Sequence, residues 1–227
     1  MITTDTLSTL GIVTTSRILV VMPHPDDEAI FCGGFLHKLS VNAIPTRVIT
    51  MTVGEKSTLR YGLKPRDDLG EIREKELTRA LTILGVNDFH IYHYPDGKLD
   101  DIGEKIQKTI RTNIRSFRPT HVVTLEPDGI YGHTDHIALS EFTKCVVRLP
   151  TRLLYVTVSS FYHLPKSAKP IRHDVELRLH WPDTRVKLQA LRAHSSQFMG
   201  PIGTVLKTLV FFIINHMTAN EFFAWGN

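Results

Sequence analysis

The sequence predicts an α/β fold in which a mostly parallel β-sheet is flanked by helices on both faces. Two observations lead to this prediction. Short apolar runs rich in β-branched residues alternate with helical patterns through the first two thirds of the 227 residues. The runs are almost continuously apolar, which is typical of strands that are buried on both faces of a parallel sheet. Strict alternation of strand and helix favours right-handed βαβ units.

The elements of the first two thirds follow each other in regular order. Each predicted strand is a short apolar run, and each predicted helix carries apolar residues at helical spacing. Gly85 and Pro119 mark the ends of two helices, because glycine favours the position after a helix and proline ends the preceding turn. In chain order the elements are strand 17–22, helix 28–39, strand 47–53, helix 67–84, strand 89–93, helix 102–117, strand 121–125 and helix 134–148.

The pattern changes after Pro150. Residues 153–159 and 175–180 are strand-like and are separated by a loop that contains proline and lysine, and residues 183–194 are helical with Asp183 as the expected N-cap. We expect this C-terminal third to add edge strands and covering helices to the same Rossmann-like sheet. Since no linker, repeat or low-complexity tract interrupts the chain, residues 1–227 are predicted to form a single domain.

Composition narrows the class of protein. Lys and Arg number 27 against 23 Asp and Glu, and the basic residues are scattered, which argues against a nucleic-acid partner. Both cysteines, Cys32 and Cys145, fall in predicted helices, so we expect no disulfide framework and a cytoplasmic location. The N-terminus lacks the features of a signal peptide. The apolar stretch 205–217 is shorter than the ~20 residues that span a bilayer, so no transmembrane span is predicted.

Two polar clusters follow the first and fourth predicted strands. PHPDDE contains His24 and Asp27, and EPDGIYGHTDH contains His136. Because ligands bind where the carboxyl ends of parallel strands converge, these side chains are expected to meet. Two imidazoles and a carboxylate are the three protein ligands of many catalytic zinc sites, which keep one position for water. His24, Asp27 and His136 are therefore the candidate metal ligands.

The other polar residues of the clusters suggest catalytic roles. Asp26 would lie beside the metal, where it can take a proton from water. His133 would face the substrate as an imidazolium oriented by Asp135, and Tyr131 would donate a hydrogen bond to an oxyanion. A plainer alternative is that Asp26 or Asp27 only caps the following helix. Two dense His/Asp groups, each directly after a buried strand, favour the metal site.

Two acidic residues outside the clusters have open interpretations. Asp96 either caps the turn before Gly97 or reaches the cavity. Glu76 either pairs with Arg73 across one helix or is solvated. The sequence does not decide between these alternatives.

The two clusters together resemble those of the deacetylases of the LmbE and PIG-L type. MPHPDDEAIFCGG resembles the first signature of this family and GHTDH the second, with Thr134 where the family usually has proline. The resemblance extends over most of the chain: to the helix LGEIREKELTRALTIL, the loop YPDGKL, the segment HSSQ at 194–197 and the segment EFF at 221–223. Either signature alone would be weak, but the pair is specific.

This resemblance implies a zinc-dependent hydrolase that removes an N-acetyl group from an N-acetylglucosamine-type small molecule. Zinc is the implied cofactor, with another divalent cation such as Fe²⁺ left open. The family's roles fall on the ligands His24, Asp27 and His136, the base Asp26, the electrophilic His133, the orienting acid Asp135, the oxyanion-binding Tyr131 and the substrate-contacting Arg73.

Other functions stay open at this point. The same residues would suit an amidase that acts on a thiol-cofactor conjugate, or a phosphoesterase. A non-catalytic module that binds a sugar or a partner is a further alternative, with the apolar stretch 203–217 as its contact surface. The same stretch would suit a homo-oligomer interface.

Overall fold

The computed structural model describes residues 2–158, 173–198 and 219–227. Its strands join in one eight-stranded sheet. In chain order the strands are β1 (Ile2–Thr4), β2 (Ile18–Met22), β3 (Thr46–Thr50), β4 (Asp88–Ile91), β5 (His121–Leu125), β6 (Arg152–Thr157), β7 (Val175–Arg178) and β8 (Asn220–Trp225).

The helices lie between these strands, so the predicted α/β architecture is confirmed. They are α1 (Asp27–Val41), α2 (Leu69–Ile83), α3 (Gly103–Phe117), α4 (Gly129–Gly132), α5 (Thr134–Val146), α6 (Trp181–Ala193) and α7 (Ser195–Phe198). Across the described ranges, none of the helices is long and apolar enough to cross a bilayer.

The sheet order is β1-β7-β8-β6-β5-β2-β3-β4. The five strands from β6 to β4 run parallel, and β8 lies antiparallel between β6 and β7. From the central pair β2 and β5, the chain adds β3 and β4 on one side and β6 on the other. This reversal opens a crevice at the carboxyl ends of β2 and β5, where the two polar clusters begin.

Side chains of β2 alternate between two hydrophobic layers. Ile18, Val20 and Met22 pack with residues of α1, α2 and α6, whereas Leu19 and Val21 pack with residues of α3 and α5. All five residues of β2 are fully buried. Because helices cover both faces of the sheet, every position of this strand is apolar.

Strands β1 and β8 were not predicted. β1 has three residues, two of them threonine, so it is too short and polar for a clear pattern. β8 coincides with the segment that was recognised only by its resemblance, and it follows the apolar stretch 203–217, which lies outside the described residues. Its pairing with β6 and β7 joins parts of the chain that local sequence does not connect.

The prediction that Asp183 is the N-cap of α6 is wrong. The helix begins earlier, with His180 as the N-cap, because Pro182 fits the first helical turn. The Asp183 carboxylate instead accepts a hydrogen bond from the His180 amide at 3.2 Å. It also pairs with His37 at 2.9 Å and with Lys38 at 3.0 Å, and so joins α6 to α1.

Candidate active site

The loop from β2 to α1 folds the Asp27 side chain back towards His24. Asp27 Oδ2 accepts a hydrogen bond from the His24 amide at 3.0 Å, and Asp27 is the first residue of α1. Asp26 precedes the helix with φ 99° and ψ −29°, and its side chain makes no capping hydrogen bond. The capping alternative is therefore wrong for Asp26, and its carboxylate is available to the cavity.

The loop after β5 brings a second group of side chains to the same edge of the sheet. His133 is the N-cap of α5, where its Nδ1 accepts a hydrogen bond from the Asp135 amide at 3.3 Å. His136 lies in the first turn of α5 and is fully buried. Because β5 and β2 are neighbours, this turn faces the loop that carries His24 and Asp27.

The three predicted ligands converge on one point. His24 Nδ1 lies 3.3 Å from both Asp27 Oδ2 and His136 Nε2, and Asp27 Oδ2 lies 3.5 Å from His136 Nε2. Ligand bonds of 2.0–2.1 Å at tetrahedral angles separate neighbouring donor atoms by about 3.3–3.4 Å. The triangle of donor atoms therefore fits one small divalent cation, and two imidazoles with one carboxylate are the donor chemistry of a catalytic site.

Electrostatics at the triangle also favour a cation. Burial opposes a charge on His24, but contacts with Asp135, Asp27 and Asp96 raise its pKa well above the usual range. These carboxylates thus stabilise positive charge at this position. Burial lowers the pKa of His136 to about 4, so its imidazole is neutral at neutral pH and has a lone pair to offer.

Asp135 has a different contact from the predicted one. Its carboxylate lies 3.2 Å from His24 Nε2 and accepts hydrogen bonds from the Gly97 and Leu99 amides at 2.7 and 3.1 Å. It therefore orients the predicted ligand His24, as outer carboxylates commonly do at metal sites, rather than the side chain of His133. Asp96 Oδ1 lies 3.1 Å from the same His24 nitrogen, so Asp96 does reach the cavity.

Replacing Asp135 with asparagine is expected to weaken metal binding by about 10–100-fold, because His24 loses the charged partner that fixes its ring. Competition with a chromophoric chelator measures this affinity. Asp88→Asn provides the control, since Asp88 pairs with Arg47 at the opposite end of the sheet. Equal metal affinity in Asp135→Asn and wild type would contradict the role given to Asp135.

His133 differs from the prediction in its charge. Burial and the positive charge of His24 lower its pKa, so the neutral ring is favoured rather than the predicted imidazolium. The Asp135 amide donates to His133 Nδ1, which places the ring proton on Nε2. Neutral His133 borders the cavity and can still donate a hydrogen bond through this nitrogen.

Arg73 fixes the residue that was predicted to be the base. The Arg73 guanidinium donates to the carbonyls of Pro25 and Gly54, and its Nη2 lies 3.1 Å from Asp26 Oδ2. Burial raises the pKa of Asp26 to about 7, although Arg73 opposes this shift. Arg73 borders the cavity, and its predicted contact with substrate stays a prediction.

A cavity of about 500 Å³ opens over these groups. Tyr131 stands at its edge, about half exposed, with its ring centroid 5.1 Å from that of His136. Partial burial, together with Asp27 and Asp26, raises the pKa of Tyr131, so the phenol keeps its proton at neutral pH. Apolar side chains form another part of the wall: Ile30, Phe31, Leu59 and Phe198.

Three buried acidic residues near the site were missed or misread. Glu76 neither pairs with Arg73 nor is solvated, because its carboxylate accepts hydrogen bonds from Ser195 and Ser196. Glu221 of β8 accepts hydrogen bonds from the Gly34 and Phe35 amides at a break in α1. Its carboxylate also pairs with Lys187. Glu28 pairs with His194 at 2.7 Å. Only the resemblance pointed to the segments with Ser195, His194 and Glu221, and it gave no roles.

Comparisons with known proteins identify the family that the chain matches. A family model described as PIG-L, GlcNAc-PI de-N-acetylase, matches residues 19–147, which include both polar clusters. A probable N-acetyl-alpha-D-glucosaminyl L-malate deacetylase 2 of Bacillus anthracis is 30% identical over 189 residues, which cover 80% of this chain and 81% of the relative.

Two further matches cover similar shares of the chain. A 1D-myo-inositol 2-acetamido-2-deoxy-alpha-D-glucopyranoside deacetylase of Corynebacterium glutamicum is 28% identical over 230 residues, covering 85% of this chain and 79% of the relative. The solved structure of an N,N'-diacetylchitobiose deacetylase from Pyrococcus horikoshii aligns with a TM-score of 0.69 at 19% identity, covering 96% of this chain and 88% of that one. At this identity the structural match supports the fold alone.

Proposed function

The chain belongs to the PIG-L family, and we propose that it is a divalent-metal-dependent deacetylase of a small N-acetylglucosamine-type amino sugar. One observation carries the proposal: the donor atoms of His24, Asp27 and His136 lie 3.3–3.5 Å apart beside Asp26. Metal ligands with a base beside them at a cavity are the parts that metal-assisted amide hydrolysis requires.

His24, Asp27 and His136 would hold the metal, and zinc is the proposed ion. Bound there, a divalent cation supplies Lewis acidity that polarises the acetyl carbonyl and makes water more acidic. Asp135 keeps His24 oriented from outside the triangle.

Asp26 is the proposed general base. Its carboxylate borders the cavity next to the ligand Asp27, and Arg73 fixes one of its oxygens at 3.1 Å. A pKa near neutrality suits a group that takes a proton from the attacking water and passes it to the departing amine. The C–N bond then breaks, and the products are acetate and the free amino sugar.

Tyr131 and His133 are the proposed donors to the acetyl oxygen as negative charge develops on it. Both side chains border the cavity, and both carry a proton at neutral pH: Tyr131 on its phenol and His133 on Nε2. A donor that is in place before the reaction stabilises the oxyanion without reorganising.

The substrate class follows from the relatives and from the size of the cavity. The two curated relatives are named as deacetylases of N-acetylglucosaminyl malate and of an acetamido-glucopyranoside of inositol. A volume of about 500 Å³ is in the range of small-molecule sites. We therefore propose a small amino sugar as the substrate.

Acetate release from a panel of N-acetylated amino sugars tests this function, with and without a chelator. We expect release that stops when the metal is removed and returns when zinc or Fe²⁺ is added back. Amides of thiol-cofactor conjugates and phosphoester substrates, assayed in parallel, distinguish the two alternative hydrolases. Turnover of only those compounds, or release that the chelator leaves unchanged, would contradict the proposal.

Tyr131→Phe is expected to slow turnover by about 10²–10³-fold, equivalent to ~2.7–4 kcal/mol, because one oxyanion donor is lost. Metal affinity should be unchanged, since the phenol oxygen lies outside the donor triangle. Tyr61→Phe is a matched control, because Tyr61 is not among the residues that line the cavity. Full activity in Tyr131→Phe would remove Tyr131 from the reaction.

A further inference from the structure

Asp26 has a backbone conformation that is uncommon for residues other than glycine. Its φ of 99° lies in the left-handed region, where a side chain crowds the adjacent carbonyl oxygen. Such a conformation persists only when surrounding contacts hold it, and it is often found at functional sites. The Asp26 carbonyl accepts hydrogen bonds from the Ala29 and Ile30 amides at 3.0 and 2.9 Å, so the same conformation also provides the first backbone hydrogen bonds of α1.

A second side chain holds Asp26 from the other direction. The Asp26 amide donates a hydrogen bond to Glu28 Oε2 at 3.0 Å. Arg73 fixes the preceding carbonyl and the Asp26 carboxylate. The backbone of Asp26 is therefore held by Glu28 at its amide and by Arg73 at the carbonyl before it.

Glu28 is itself held by a residue from a distant part of the chain. Its other oxygen, Oε1, lies 2.7 Å from His194 Nε2, and both side chains are fully buried. A buried carboxylate without such a partner would be costly, so this pairing keeps Glu28 in place. The segment after His194 is anchored in turn, because Ser196 donates twice to Glu76 of α2.

We propose that Glu28 and His194 are positioning residues that hold Asp26 in its left-handed conformation and so aim its carboxylate at the attacking water. Neither side chain belongs to the donor triangle or lines the cavity. This inference rests on the role of Asp26 as general base in the proposed function. A buried ion pair that served only the core would stabilise the fold and leave turnover unchanged once the protein is folded.

Two substitutions of similar size separate these roles. Glu28→Gln keeps an oxygen acceptor for the Asp26 amide, so we expect a kcat within about fivefold of wild type. Glu28→Met removes the acceptor, and a displaced base should lower kcat by about 10²-fold with little change in KM or metal affinity. The double variant Glu28→Met/His194→Leu leaves no buried charge unpaired and should show the same loss of kcat.

Asp183→Asn is the matched control. Asp183 also joins α6 to α1, through partly buried contacts with His37 and Lys38, but it lies outside the cavity. We expect a lower thermal unfolding temperature and a kcat within about twofold of wild type. A fall in kcat in Asp183→Asn as large as that in Glu28→Met would overturn the proposal, because any weakened link between these helices would then suffice.

A double-mutant cycle with Asp26→Asn tests the route of the effect. If Glu28 acts through Asp26, Glu28→Met has no further effect on kcat in the Asp26→Asn background. If the two substitutions instead lower kcat by factors that simply multiply in the double variant, the proposal is overturned.

Crystal structures of the two Glu28 variants decide the inference without an activity assay. Asp26 should keep its φ near 99° in Glu28→Gln and leave the left-handed region in Glu28→Met. An unmoved Asp26 in Glu28→Met would overturn the proposal. Absence of acetate release by the wild-type protein on every amino sugar would instead contradict the proposed function, and the crystallographic result would still stand.

Discussion

Asp26→Asn is expected to lower kcat by about 10²–10⁴-fold while the protein still binds its metal, because the substitution removes only the proton acceptor. Asparagine is the right replacement here. It has the size of aspartate and tolerates the left-handed region, which Asp26 occupies with φ 99°. Alanine would add backbone strain and confuse loss of the base with a shift of the loop.

Single-turnover kinetics and metal analysis on the same Asp26→Asn sample check this expectation. Asp67→Asn is a suitable control, since Asp67 lies in the loop before α2 and does not line the cavity. A metal-loaded Asp26→Asn protein with undiminished turnover would exclude Asp26 as the base. Loss of metal together with activity would place Asp26 in the ligand set instead.

His136→Ala is expected to abolish both metal retention and turnover. In the proposed site His136 supplies one of three donor atoms, so the loss of affinity should exceed the ~10²-fold typical of residues that only orient a ligand. The fully buried ring also leaves a polar cavity, so a lower thermal unfolding temperature is expected as well.

His121→Ala controls for the removal of a buried imidazole. His121 is 3% exposed and lies at the start of β5, whereas His136 follows the end of that strand. We expect His121→Ala to lose stability and keep its metal. Stoichiometric metal in purified His136→Ala would show that the remaining residues suffice, which contradicts the donor triangle.

Local pattern predicted the parallel part of the sheet because burial on both faces leaves a strong signal. β2 is apolar at every position, β5 has a central apolar pair, and the structure has β5 at the predicted residues 121–125. This signal does not identify β1 and β8. Their pairing partners are β7 for β1, and β6 and β7 for β8, and nothing within so few residues specifies partners that lie so far along the chain.

The same distinction applies to the site. The positions of His24, Asp27 and His136 directly after two neighbouring strands were enough to predict that their side chains meet, because the sheet determines where strand ends converge. Orientation was harder to predict. The Asp135 carboxylate lies against His24 rather than His133. In the first turn of α5, the Asp135 amide contacts His133 while the Asp135 side chain contacts His24.

Charge was the least predictable property. His133 sits near His24 and is partly buried, so its pKa falls, and neither fact can be read from the interval between two residues in the sequence. The long-range pair of Glu28 and His194 is hidden for the same reason, because 166 positions separate its members.

Anomalous diffraction at the zinc edge from zinc-loaded crystals tests the central claim most directly. One peak about 2.0–2.2 Å from His24 Nδ1, Asp27 Oδ2 and His136 Nε2 is the expected result. The carboxylates of Asp96 and Asp135 form another candidate group with the other ring nitrogen of His24, Nε2. A zinc peak in that group alone, or none near His24, would contradict the account.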